Sequence, residues 1–306
     1  MERPRLGTGR RIGPYTLITR LDSAGGPAAP PVPEHRFIAR SADGDRTVLL
    51  SVPLDGVDPG RFVIEAEAAR YLLGPWAAPV TECSGPSPFP WHARPYLPVL
   101  PLATALAVYG GPLPEQTVRA LGAALAETLA IAHAAGTTHA GVSPAAVLLA
   151  GDGPRLTCFG AVRAAGPDGE HRGGLPGLDQ GSLAPEQASG GRPRPPGDIY
   201  GLGAVLSYAS TGHTVPDRDE LPASLRPLVT ACLSRDPAAR PQAVQLLEQL
   251  GAGAPAPGPG ATVLDSPATA PYLPQGWLPG RLVAAVARQS AVVLAAELPV
   301  PAHGND

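Results

Sequence analysis

The sequence predicts an α+β fold with its strands gathered in the first hundred residues and its helices after them. Three observations predict this. Short strand-like segments at 15–18, 36–40 and 47–52 precede any long amphipathic stretch, and the last two are joined through Asp43-Gly44, a hairpin-type turn. From Leu113 onward, apolar residues recur mainly at helical spacing. Residues 251–271 are largely alanine, proline and glycine, a composition that buries no core and reads as a flexible linker before one last helix.

The elements follow in order. Tyr15-Thr16-Leu17-Ile18 opens the β-rich region, and Asp58-Pro59-Gly60 introduces a helix over 61–73, whose stripe is Phe62, Ala66, Ala69 and Leu73. Strands near Val80–Cys83 and Tyr96–Leu100 complete this region. Leu113-Pro114-Glu115 starts a long helix to Ala135, buried along Leu121, Leu125, Leu129 and Ala132 and stopped by Gly136. Val147–Leu149 and Arg155–Thr157 flank Asp152-Gly153 as a β-pair; Asp152 is read as a turn residue rather than a displaced base or metal ligand. A buried helix over 197–206 and an amphipathic one ending at Leu250 follow. In the segment 272–299, Trp277–Leu298 reads as a helix after Pro279, striped by Leu278, Leu282, Val286 and Val293, with Arg281 and Arg288 opposite and Gln289 breaking the stripe. It is expected to dock back on the body; a partner or membrane-surface role is the alternative.

The tract Thr138-His139-Ala140-Gly141-Val142-Ser143-Pro144-Ala145-Ala146-Val147-Leu148-Leu149, with Cys158-Phe159-Gly160 and Ala184-Pro185-Glu186 after it, resembles the skeleton of a bacterial serine/threonine protein kinase of actinobacterial type. That family's catalytic loop reads H-R-D-x-K-P-x-N and its metal turn D-F-G. The resemblance covers about 15–250 and implies a bilobal protein-kinase-like fold, with a β-rich small lobe at 15–100 and a helical large lobe at 101–250. It also implies phosphoryl transfer from magnesium-bound ATP.

The residues that would perform it are absent. Gly141 stands at the base aspartate, Ser143 at the loop lysine, Ala146 at the magnesium asparagine and Cys158 at the second magnesium ligand. The V-A-I-K strand reads Val48-Leu49-Leu50-Ser51, so Ser51 replaces the phosphate lysine. Glu65, at the helix glutamate, loses that partner; it either accepts from Ser51 or is solvated. The stretch Leu21 to Pro31, holding Gly25-Gly26 and three prolines, is a poor glycine-rich phosphate loop. All 23 basic residues are arginine and the sole asparagine is Asn305, so no shift of alignment restores these groups. Between Phe159 and Ser182 there is no Ser, Thr or Tyr to phosphorylate, and Asp179 takes the position of the threonine that contacts the catalytic loop.

What stays is what the family uses structurally. Glu186 and Arg240 match its buried ion pair, Asp198 the brace of the catalytic-loop backbone, and His139 and Phe159, with Gly160 after them, the apolar column between lobes. The expected function is therefore that of a pseudokinase acting as an adaptor or an allosteric regulator through a protein partner. The alternatives are a serine/threonine protein kinase or other ATP-dependent phosphotransferase using non-standard residues, and a sensor binding nucleotide without magnesium. For that last case the hinge candidates are Leu97, Val99 and Leu100, although Pro98 and Pro101 reduce its donors. No metal site and no firm cofactor site is expected.

Bulk properties exclude other classes. A net charge of −3 gives no reason to expect nucleic acid or an acidic membrane as partner. The three cysteines, Cys83, Cys158 and Cys232, lack paired spacing, which fits a reduced compartment. The N-terminal MERPRLGTGRRIG has no apolar core of a secretory signal, and no run of about 18 apolar residues exists. A cytoplasmic location is expected.

Overall fold

The computed structural model describes residues 9–22, 29–217, 219–251, 273 and 276–296. Most of the stretch 21–31 and of the 251–271 linker, and both ends of the segment 272–299, lie outside these residues.

The first lobe is a six-stranded antiparallel sheet in the order β1-β2-β3-β4-β6-β5. Its strands are β1 (Arg11–Ile12), β2 (Tyr15–Arg20), β3 (Glu34–Ser41), β4 (Thr47–Pro53), β5 (Glu82–Cys83) and β6 (His92–Pro95). Tyr15, Leu17, Phe37, Ala39, Val48, Leu50 and Ala93 pack on one of its faces. Register places Arg36 against Ser51 and Ser51 against His92, with Ile38, Leu49 and Arg94 similarly aligned. Because side chains alternate along strands, these residues share the other face, toward the second lobe.

Two expectations for this lobe need correction. The expected strand Tyr96–Leu100 is instead two: β6 ends at Pro95, and β7 (Val99–Pro101) joins a separate sheet with β8 (Val147–Ala150) and β9 (Gly153–Leu156). Pro95 and Pro98 carry no N–H, so the ladder cannot run through them and the chain changes sheets there. The helix expected over 61–73 is α1 (Pro59–Ala68), capped by Asp58 on the amides of Gly60 and Arg61, and it tightens into a 3₁₀ turn at Ala69–Tyr71. The tighter turn rotates the stripe by one residue, burying Leu72 and leaving Leu73 45% exposed.

The second lobe is helical. It comprises α2 (Leu102–Tyr109), α3 (Glu115–Ala134), α4 (Ala161–Ala165), α5 (Pro185–Ala188), α6 (Pro195–Thr211), α7 (Arg226–Cys232) and α8 (Ala243–Gly251). Its core is a single large cluster built on Leu121, Leu125 and Leu129 of α3 and Leu202, Val205 and Leu206 of α6. At Gly122 a Cβ would lie 2.7 Å from Leu206, so glycine permits this close crossing.

The last helix, α9 (Gly280–Ala295), docks on the body. Leu278, Leu282 and Val286 enter the large-lobe core. Val293 packs with Ile18, Leu21, Ile38, Leu49, Val99 and Leu148, residues drawn from both lobes. The carbonyl of Trp277 accepts from Thr117 Oγ1 at 3.0 Å, and its indole donates to the Gly151 carbonyl at 3.1 Å. No described helix is long and apolar enough to cross a membrane.

Candidate functional site: the interlobe cleft

The loop before β8 is held from α6. Asp198 accepts from the amides of His139 and Ala140, each at 2.8 Å, and from His133 Nε2 at 2.9 Å. These bonds hold Ala140 at φ 54°, a left-handed conformation that costs an alanine about 1–2 kcal/mol. His139 is fully buried with both ring nitrogens unpaired and stands edge-on to Phe159 at 5.6 Å. Burial pushes its pKa down to about 4, so the ring is neutral. Gly141 has no room for any side chain: a Cβ there would lie 2.1 Å from the Cys158 carbonyl oxygen. Ser143 is half-buried, and its carbonyl accepts from the fully buried Ala146.

Cys158 occupies a left-handed position too, at φ 59°. Burial, with Glu34 adding to it, pushes its thiol up to about 12, so it is neutral. A neutral thiol is a poor ligand for magnesium, which takes hard oxygen donors. At Gly160, φ 72°, a Cβ would strike Glu65, whose carboxylate packs directly on this turn. Glu65 lies 3.8 Å from Arg163 of α4, and burial raises its pKa despite Arg163 and Arg61. Both readings of this residue are corrected. It neither accepts from Ser51 nor sits in solvent, because Ser51 Oγ donates to Glu34 at 3.0 Å instead.

Glu34 belongs to an ionic network that fills the cleft. It accepts from Ser51 and pairs with His92 Nε2 at 2.9 Å. Burial alone would raise its pKa, but His92, Arg94 and Arg36 together hold it at about 2. Beside it, the Arg36 guanidinium is 4% exposed and grips both oxygens of Asp22. Its Nη1 donates to the Ala145 carbonyl at 2.7 Å and lies 3.5 Å from Thr157 Oγ1 and 3.9 Å from Cys158 Sγ. A fixed cation thus stands between the loop carrying Ala146 and the turn carrying Cys158, where a metal and phosphates would have to sit.

Magnesium-bound nucleotide does not fit this arrangement. Leu49, in place of the alanine of V-A-I-K, closes with Leu21 and Leu148 in one buried cluster. Among the described residues no group of three or more His, Cys, Asp or Glu is placed to hold a metal. Of the hinge candidates, Val99 and Leu100 are buried in β7 while Leu97 is 40% exposed. The Val99 amide donates to Gln289 Oε1 of α9 at 3.1 Å, and the Tyr96 hydroxyl donates to the same oxygen at 3.3 Å. Arg40 of β3 in turn donates to the carbonyls of Val293 and Ala296 at the end of α9.

The sequence reading missed Asp22, Glu34, Arg36, His92, Arg94 and Gln289. A signal existed for four of them: Glu34 and Arg36, like His92 and Arg94, repeat at a spacing of two on strands flanking Ser51, which puts charge on one sheet face.

The segment after the turn is ordered without a modified hydroxyl. Arg172 is fully buried and donates to the carbonyls of Gly166, Gln187 and Gly191 and to Asp168. Asp179 accepts from Ser182 Oγ and the Gly181 amide, a local turn. Glu186 and Arg240 form a two-pronged pair at 2.7 and 2.8 Å, and Tyr200 lies under the guanidinium at 5.0 Å. Asp152 pairs with Arg155 at 2.7 Å and is 71% exposed, at the β8–β9 turn.

Comparison with known proteins places this architecture. No family model matches the chain. It is 35% identical over 262 residues to a probable serine/threonine-protein kinase, PkwA, of Thermomonospora curvata, covering 78% of this chain and 34% of that protein. It is 33% identical over 296 residues to the serine/threonine-protein kinase AfsK of Streptomyces coelicolor, covering 90% of this chain and 35% of that one. The chain thus spans about a third of the length of these curated relatives. Among solved structures, the kinase domain of Mycobacterium tuberculosis PknI aligns with a TM-score of 0.62 at 22% identity, over 81% of this chain and 99% of that domain.

Proposed function

We propose that this chain, a homologue of the actinobacterial serine/threonine protein kinases with the bilobal kinase fold, is a pseudokinase that works by binding protein. One observation carries the reading: the Arg36 guanidinium, paired with Asp22 and bonded to the Ala145 carbonyl, fills the space between the positions of Ala146 and Cys158. The cleft is closed by the chain's own side chains, and the groups that would neutralise phosphate charge are replaced by Ser51, Gly141, Ala146 and Cys158. The parts of a catalytic constellation act as one unit, so losing all of them leaves little for any one to do.

Retained beside the empty chemistry are Asp198 on the loop backbone and the Glu186–Arg240 pair. Breaking a pair of that kind costs roughly 3–5 kcal/mol. These contacts keep a bilobal surface in shape, which suits an adaptor or an allosteric partner of an active kinase. The relatives' printed names favour the competing reading, a phosphotransferase with non-standard residues. Two measurements on the full chain decide between them: transfer from labelled ATP with magnesium or manganese, and thermal shift with ATP with and without the metal. Neither transfer above a buffer blank nor a shift is expected; transfer would overturn the proposal.

A further inference from the structure

The end of α9 lies where the two lobes meet. Val293 is 1% exposed and packs among Ile18, Leu21, Ile38 and Leu49 of the first lobe and Val99, Leu148 and Ala150 of the second. Gln289, four residues earlier and so on the same helix face, takes the Val99 amide at 3.1 Å. The Tyr96 hydroxyl donates to that same oxygen, and Arg40 of β3 holds the carbonyls of Val293 and Ala296. An apolar slot with one backbone donor is thus filled by an apolar side chain and one acceptor. Sites for small ligands are built in this way, with apolar walls and a few placed polar groups.

The two halves of α9 are anchored differently. Leu282 and Val286, with Leu278 ahead of the helix, enter the large-lobe core, and Trp277 is bonded to Thr117 and Gly151. Beyond Val286, Val293 is the one buried residue among those described. A half held by one buried side chain and a few hydrogen bonds opens locally more readily than a half set in the core.

We propose that the end of α9 is a releasable strap that stands in for a ligand. Gln289 and Val293 hold the place of a flat, neutral heteroaromatic ring with a ring-nitrogen acceptor, so the docked strap and such a ring exclude each other. The inference concerns regulation of the same cleft and rests on the reading above in treating that cleft as a place that binds rather than reacts. The two fail separately, because the test contains no ATP.

The test uses the full chain, with amide hydrogen exchange and ligand titration. Val293→Lys puts a cation into the apolar slot beside Arg40 and is expected to speed exchange over 290–296 while 280–286 stays protected. The probes are benzimidazole, which carries a ring-nitrogen acceptor, and indole, which has the same size and lacks it. Benzimidazole is expected to bind the variant saturably, about tenfold or more tightly than indole does, since indole leaves the Val99 amide unpaired. It is expected to bind the unmodified chain at least about tenfold more weakly than the variant, the strap being in place. Gln289→Ala, which frees the same amide and leaves Val293 intact, takes over should Val293→Lys fail to fold. Exchange that stays slow over 290–296, no saturable binding at millimolar benzimidazole, equal binding of the two probes, or equal binding to variant and unmodified chain would overturn the proposal.

Discussion

Gly141 and Cys158 stand so close that a Cβ on the first would meet the carbonyl oxygen of the second at 2.1 Å. Backbone therefore leaves no room at position 141 for a side chain, a carboxylate included. Gly141→Asp is expected to leave phosphate transfer at the blank and to lower stability by about 3 kcal/mol or more, as overpacking of a tight interior does. Thermal unfolding of the variant beside a labelled-ATP assay checks both parts; a variant that gains activity while melting normally would contradict the closed geometry.

Acid should loosen the fold in two stages. His139 is held at about 4 against an ordinary 6.5, so the unfolded chain takes the proton first. The corresponding stability is complete above pH 6.5 and drains away as pH falls toward 4, on the order of 3 kcal/mol in all. Glu34, at about 2 against 4.5, adds a further loss below 4.5 as protonation weakens its pairing with His92. Urea midpoints followed from neutral to acid pH should show this, and His139→Leu should flatten the upper stage alone.

Ala140 is the cheapest place to gain stability. Its φ of 54° suits glycine better than alanine. Ala140→Gly is expected to raise stability by about 1 kcal/mol, seen as a higher denaturant midpoint at unchanged slope. A lowered midpoint would mean that the two Asp198 bonds do not hold this conformation.

Gln289 ties α9 to the segment between the lobes through the Val99 amide. Gln289→Ala strands that buried N–H and should cost about 1–3 kcal/mol, whereas Gln289→Glu keeps an acceptor and should cost less. Amide hydrogen exchange at Val99 should quicken in the alanine variant. Arg40→Ala, which removes the donors at the end of α9, should cost roughly 0.3–1 kcal/mol more.

Parts of the fold that follow a period were legible in the sequence. The stripe of Leu121, Leu125 and Leu129 locates a real core, and the family resemblance that singles out Glu186 and Arg240 locates a real pair. Helix α2 escaped because Leu102–Tyr109 is apolar on nearly every side, so it has no amphipathic rhythm to find. The break at Pro95 was readable from missing amide donors, yet the strand propensity of Tyr96–Leu100 masked it. Arg36 was harder. A lone arginine on a strand reads as solvated, and only the distant Asp22 and Ala145, brought in by the fold, make it an interior ion. Gln289 looked like a flaw in its stripe for the same reason, since the amide it satisfies lies 190 positions away.

Arg172 braces residues 166–191 from within, through the carbonyls of Gly166, Gln187 and Gly191. Its hydrogen bonds need no added phosphate, and the stretch between Phe159 and Ser182 offers no hydroxyl for an enzyme to esterify. The segment is thus braced by an unmodified arginine.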